Sequence, residues 1–351
     1  MMRAGRHRAV PSAQVVVAAL FVIAILPAGA TVLAPLALAF LALALLWPVQ
    51  HRVQTFLPRY IALLVTLAVM MLALLAFGWI FTWSFGRVGG WMVDNTARFQ
   101  QHYDELRRWL EDHGIDVDVI WADNVGTASV MRVVQTVTSR VNSTFSFWLI
   151  ALTYLLLGLM EVEGFESRIK TMQNPVARKL LLDGSRETAQ KLRRYMRIRT
   201  IMSIATGLFI WLFTSGFELP LAKEWGVIAF VLNYIPFIGP LVATLLPTAF
   251  ALIQLDNWQS AIAIFLGLNI IQFTLGSYIE PRVSGNALSL SPVVVLFSVF
   301  AWGYVWGIFG AFIGVPISIA LVTFCRHHPS SRWVSELLGR GSEADRGGVS
   351  T

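Results

Sequence analysis

Seven apolar stretches follow one another along the chain, at about 13–47, 60–85, 143–160, 200–217, 225–255, 259–278 and 288–325. Crossing the hydrocarbon of a bilayer takes about 20 apolar residues as an α-helix, so each stretch is of spanning length or longer. Charged residues make up only 13% of the 351 and hydrophobic residues 56%, near half the usual charge density of a soluble domain. The bilayer is therefore the solvent for most of the chain. Lipid offers the main chain no hydrogen bonds, which makes the fold class all-α and polytopic.

Two stretches are too long to be plain spans. As one helix, 288–325 would run on the order of 55 Å across a bilayer about 30 Å thick. Helix breakers sit where a bend is needed: Pro236, Gly239, Pro240 and Pro247 in 225–255, and Gly303, Gly307, Gly310, Gly314 and Pro316 in 288–325. Each is expected to be a broken hairpin, either re-entrant or reaching the far surface. The predicted architecture is about six full transmembrane helices plus two Pro/Gly-broken hairpins, with amphipathic segments outside and inside. Pro27, Ala28 and Gly29 divide the first stretch into two short helices. The rival reading there is a cleaved signal peptide, with Arg3, Arg6 and Arg8 before an apolar run and Ala28-Gly29-Ala30 after it.

Charge orients these elements. Segment 86–140 holds eight acidic and six basic residues, with Phe99, Tyr103, Leu106 and Leu110 at helical spacing. Segment 164–199 holds ten basic and three acidic residues. Lys and Arg collect on cytoplasmic loops, so 164–199 and both termini are expected inside and 86–140 outside. The organisation expected is an N-terminal hairpin and third span (1–85), an extracytoplasmic amphipathic segment (86–140), a fourth span (141–163), a basic cytoplasmic segment (164–199), a transport core (200–325) and a disordered cytoplasmic tail (326–351). Bacterial inner membrane is the expected location.

The sequence excludes several chemistries. One cysteine, Cys325, forms no internal disulfide, and the six histidines are scattered, so neither a metal site nor a cofactor is expected. A Walker loop, a GxSxG elbow and an HExxH helix are all missing, and no enzyme activity is predicted. The net charge of +7 sits beside apolar blocks and reads as topology, with no nucleic acid partner. The lipid bilayer and a small molecule or ion are the partners expected, and apolar hairpin faces are consistent with a homo-oligomer.

Polar residues inside spans are costly and mark pathways. On 259–278, Asn269, Gln272, Gly276 and Glu280 fall at helical offsets that would put them on one face, ending at Glu280-Pro281-Arg282. Glu280 is either one half of a surface ion pair or a proton or cation site whose pKa Arg282 tunes, with Arg282 alternatively contacting an anionic substrate group. Asn233, just before Pro236, is a second pathway candidate, while Glu218, Lys223, Glu224 and Asp256 are expected at the interface. Trp302, Tyr304 and Trp306 are expected to anchor the chain at the interface more than to line a path. Residues 200–325 also suggest an inverted pseudo-repeat, a span and a broken hairpin recurring in opposite orientation.

NYIPFIGP at 233–240, EPRVSGNALSLSP at 280–292, WGYVWGIFGAFIGVPISIAL at 302–321 and LRRYMRIRT at 192–200 resemble the autoinducer-2 exporter (AI-2E) family. That resemblance implies a multi-span inner-membrane permease, with some members linked to export of a quorum-sensing signal and others to sodium–proton exchange. It carries the family's acidic-Pro-x-x-x-Gly element onto Glu280, Pro281 and Gly285, with Glu where Asp is common, and Pro-x-x-Gly onto Pro236 and Gly239. The function expected is a secondary transporter or exporter of a small solute, with protons or sodium as coupling ions. The alternatives are an oligomeric channel, a sodium–proton antiporter and a non-transporting scaffold.

Overall fold

The computed structural model describes residues 25–113, 141–255, 257–284, 290–328 and 331–339. The expected helix before Pro27 and the second half of the acidic segment fall almost wholly outside them. The N-terminal part comprises α1 (Ala30–Gln54), α2 (Arg59–Asp94), the amphipathic α3 (Thr96–Asp112) and α4 (Val141–Lys170). Then come α5 (Pro175–Gly216), α6 (Ala222–Leu232), α7 (Ile238–Gln254), α8 (Trp258–Gln272), a π-helical segment (Phe273–Ile279), α9 (Glu280–Ser284), α10 (Pro292–His327) and α11 (Arg332–Leu338). Six helical stretches are long and apolar enough to cross a membrane, α10 among them, and the shorter α7 is apolar too. The protein is thus a multi-pass helical membrane protein, and among the described residues it has no strand beyond an isolated Leu290–Gly339 bridge.

The basic segment and the span after it form one helix instead of two units. α5 starts cleanly because the Asn174 side chain accepts bonds from the Val176 and Ala177 amides and Pro175 fills the first helical position. Its 42 residues measure about 63 Å, twice the hydrocarbon thickness, so the charged first half stands beyond the lipid while 200–216 crosses.

Both hairpins pack along α5, in opposite directions. In the first, α6 runs antiparallel to α5. Gly226 meets Gly207 so closely that a Cβ on either would lie 2.7 Å from the other's carbonyl oxygen. Further on, Asn233 Nδ2 donates to Ser203 Oγ (3.2 Å) and the Tyr234 hydroxyl to Thr200 Oγ1 (3.0 Å). At 11 residues, about 16 Å, α6 is about half as long as the hydrocarbon is thick. Its tip carries Phe237 at φ 63° and Gly239, where a Cβ would sit 1.9 Å from the Leu232 carbonyl oxygen.

The second hairpin lies within α10. Trp306 and Gly307 leave helical geometry, Gly307 at φ 66°, a conformation that glycine adopts without a side-chain clash. Ser298 Oγ and Ser318 Oγ are 2.7 Å apart, where twenty residues of straight helix would separate them by about 30 Å. At this turn a Cβ on Gly310 would sit 1.9 Å from the Trp302 carbonyl oxygen, repeating the Gly239 arrangement. The base of the hairpin faces the charged half of α5 through Lys191 Nζ and Thr323 Oγ1 (3.3 Å), and its tip reaches the Leu26 carbonyl, to which Trp306 Nε1 donates (3.0 Å).

Buried Ala39, Leu63, Leu155 and Leu159 join α1, α2 and α4. Trp225, Phe250, Ile264 and Leu268 fill the first hairpin's core, and Val299, Ile313 and Ile319 the second's. Within the tail expected to lack structure, Arg332–Leu338 forms α11, the Ser291 amide donates to the Leu338 carbonyl (3.2 Å), and residues from 340 on lie outside the described ones.

Candidate functional site

The tip of the first hairpin, the π-helical segment and the point where α5 enters the apolar layer converge on one ion pair. Arg199 Nη1 donates to both carboxylate oxygens of Glu280, at 2.8 Å and 3.0 Å. The Arg199 side chain is 5% exposed and that of Glu280 17%. Ile198 and Met202 of α5 pack on Leu275 and Ile279 and set the register of the pair. Pro281 supplies no amide hydrogen, so the helix before it cannot close its usual bond there, and Phe273–Ile279 winds as a wider π-turn that presents Glu280 to α5.

Among the described residues, two buried polar atoms at the pair find no hydrogen-bond partner, Arg199 Nε and the Tyr195 hydroxyl. Tyr195 lies one helical turn before Arg199, and both side chains are almost fully buried. Unpaired polar atoms in such a place are costly, and a polar passenger or water would satisfy them. One turn further into the apolar layer, the Tyr234–Thr200 and Asn233–Ser203 bonds continue the polar track, and Tyr234 also touches Phe312 of the second hairpin (ring centroids 6.0 Å).

The predicted site residues divide accordingly. Glu280 and Asn233 lie on this track. Gln272 reaches it weakly, its Nε2 3.5 Å from the Pro240 carbonyl at the hairpin tip. Asn269 does not: it is exposed and donates to Phe265 of its own helix (2.7 Å), because the π-turn rotates Glu280 out of phase with the residues before it. The shared face expected for Asn269, Gln272, Gly276 and Glu280 is therefore absent. Arg282 does not pair with Glu280 either; its guanidinium lies 3.7 Å from the centre of the Tyr278 ring. Gly285 lies outside the described residues. Pro236, Gly239 and Pro240 build the first tip, Gly307, Gly310 and Gly314 the second, and Pro247 and Pro316 are buried inside helices. Gly303 faces Ala311 at an ordinary distance, 3.5 Å.

Arg199 is the residue that sequence reasoning missed as a partner. Its signal was position: it is the last basic residue before an uninterrupted apolar run. Glu224, expected at the interface, is likewise buried at 5% exposure and accepts from Arg87 Nε at 3.0 Å. Arg87 is 58% exposed and also stands over the Trp83 ring, in the wall of an open cleft of about 530 Å³ shared with Trp91, Asp94 and Leu221. In the charged half of α5, beyond the lipid, burial pushes the Glu187 carboxyl up. The bonds and charges of Lys191 and Arg326 outweigh that and hold it below the usual carboxylate range.

Residues 15–330 match the profile of the AI-2E family transporter. The chain belongs to the AI-2E transporter family. Among its relatives, the AI-2 transport protein TqsA of Escherichia coli (strain K12) is 30% identical over 308 residues, covering 83% of this chain and 84% of TqsA. YhhT of the same organism, whose name proposes a transport role, is 22% identical over 86% of this chain and 84% of its own. YrrI of Bacillus subtilis (strain 168), similarly named, is 25% identical over 67% and 69%. These relatives are named for transport.

Proposed function

We propose that this AI-2E transporter is a secondary transporter that carries a small polar solute along the track between α5 and the two hairpins, gated by the Arg199–Glu280 pair. The observation that carries the reading is that buried pair beside two unsatisfied donors, Arg199 Nε and the Tyr195 hydroxyl, near the tip of the first hairpin. A solute rich in oxygen acceptors satisfies both donors, and broken helices near such a site are the usual means by which transporters expose main-chain groups to a passenger. Protonation of Glu280 removes its charge and releases Arg199, which couples movement of the solute to a proton. A signal of the autoinducer-2 type is the first solute to try, on the strength of the resemblance to TqsA. The basic half of α5 faces the cytoplasm of a bacterial inner membrane in this reading, because positive segments are retained inside.

The experiment is solute flux in proteoliposomes from about pH 6 to about pH 8. Wild-type flux should saturate with solute and vary with pH. Glu280→Gln should lose at least about tenfold in flux and all pH dependence while eluting as a monodisperse species. Unchanged, pH-dependent flux in that variant rejects the gate, and flux that never saturates points to a channel.

A further inference from the structure

A second feature of α5 borders the polar track at Thr200. Arg193 and Arg197 are four residues apart, hence neighbours on one face of the helix. With Leu45 of α1, Met196, Thr200 and Ile201 they line an open cleft of about 400 Å³. Two like charges at this spacing repel each other and need a counter-charge. Arg197 makes no hydrogen bond or ion pair to any described residue. Arg193 is held in place from the other wall, its Nη1 donating to the Ala44 carbonyl at 2.9 Å. That carbonyl is free because the residue four further on is Pro48, inside α1, which has no amide hydrogen to give it.

The cleft also sits at a particular depth. Its arginines belong to the charged half of α5, and Thr200 and Ile201 begin the apolar half, with Ile201 exposed to the lipid side. A ligand that fits must present an anion at the water boundary and an apolar body just inside it. We infer that the cleft between α1 and α5 is a binding site for the headgroup of an anionic phospholipid, its phosphate between Arg193 and Arg197 and its acyl chains along Leu45 and Ile201. Basic pockets between membrane helices recognise acidic headgroups by this combination of charge and depth.

The test uses the full chain in neutral detergent micelles, with retention of added phosphatidylglycerol or phosphatidylcholine measured by native mass spectrometry. Phosphatidylglycerol should bind and phosphatidylcholine should not. Each arginine near the surface contributes about 1 kcal/mol toward an acidic lipid, so Arg197→Ala should weaken binding about fivefold. The Arg193→Ala/Arg197→Ala pair should weaken it about 25-fold on the same arithmetic. Replacing the exposed Arg178, on the same basic segment but outside the cleft, should change nothing. Equal binding of the two lipids overturns the proposal, as does wild-type affinity in Arg197→Ala. Displacement of the lipid by an equal concentration of inorganic phosphate would assign the cleft to a free anion and overturn it too. So would a change of oligomeric state in Arg197→Ala without lipid, which would make a second copy of the chain the occupant.

Discussion

Two arginine–glutamate pairs hold the first hairpin, one at its base and one near its tip, and they differ in which partner is buried. At the base, Glu224 is 5% exposed and Arg87 58%; near the tip, Arg199 is 5% exposed and Glu280 17%. Deleting one partner of a buried pair costs most when the group left behind cannot reach water. The comparison teaches that the same two residue types fail in opposite ways at the two ends: the base depends on its arginine and the tip on its glutamate. At both ends the partner that reaches more water is the one whose loss strands a buried charge.

The largest expected effects test that mirror symmetry. Arg87→Ala and Glu280→Ala should each cost about 3 kcal/mol, read as a lowered unfolding midpoint in micelles, because each strands a buried charge. Equal losses from both members of a pair would break the comparison. Next comes the crossing that lies between the two pairs. Gly226→Ala places a methyl group 2.7 Å from the Gly207 carbonyl oxygen and should cost about 1–3 kcal/mol, without changing the ranking of the two pairs. Smaller still, Glu224→Ala should cost about 1 kcal/mol or less, since Arg87 is already largely hydrated and its pairing is screened.

The smallest effect is acid dependence at the base of the second hairpin. The Glu187 carboxyl is held below its ordinary range by Lys191 and Arg326, so its contribution is present above the unfolded-state pKa of about 4.3 and is lost as pH falls through the lower folded value. Thermal midpoints should therefore drop on acidification below about pH 4, and Glu187→Gln should remove that part of the drop. An unaltered acid profile in the variant would assign the loss to other carboxylates.

Much of this fold was readable from residues alone. Apolar length gave the spans, and the breakers gave both hairpins, because a proline without an amide hydrogen or a glycine without a Cβ changes the backbone wherever it stands. Asn233 and Glu280 were legible as polar groups in apolar surroundings. The Glu280 partner was not: Arg282, two residues away, was the obvious choice, and Arg199, 81 residues away, is the actual one. The alignment with Asn269 failed for a related reason, since helical offsets assume 3.6 residues per turn and the π-turn breaks that count. The Arg87 partner of Glu224 was not legible either, because it stands 137 residues earlier in the chain and local charge density does not reveal it.

By itself, then, the sequence determined the solvent, the helical class and the places where helices had to stop, because those follow from the cost of unpaired main-chain groups in lipid and from residues whose backbone limits are intrinsic. Tertiary structure decided which charges meet, which hairpin enters from which end of α5, and which donors stay unsatisfied. These depend on contacts between residues far apart in the chain, and a periodic pattern carries no record of what packs across from it.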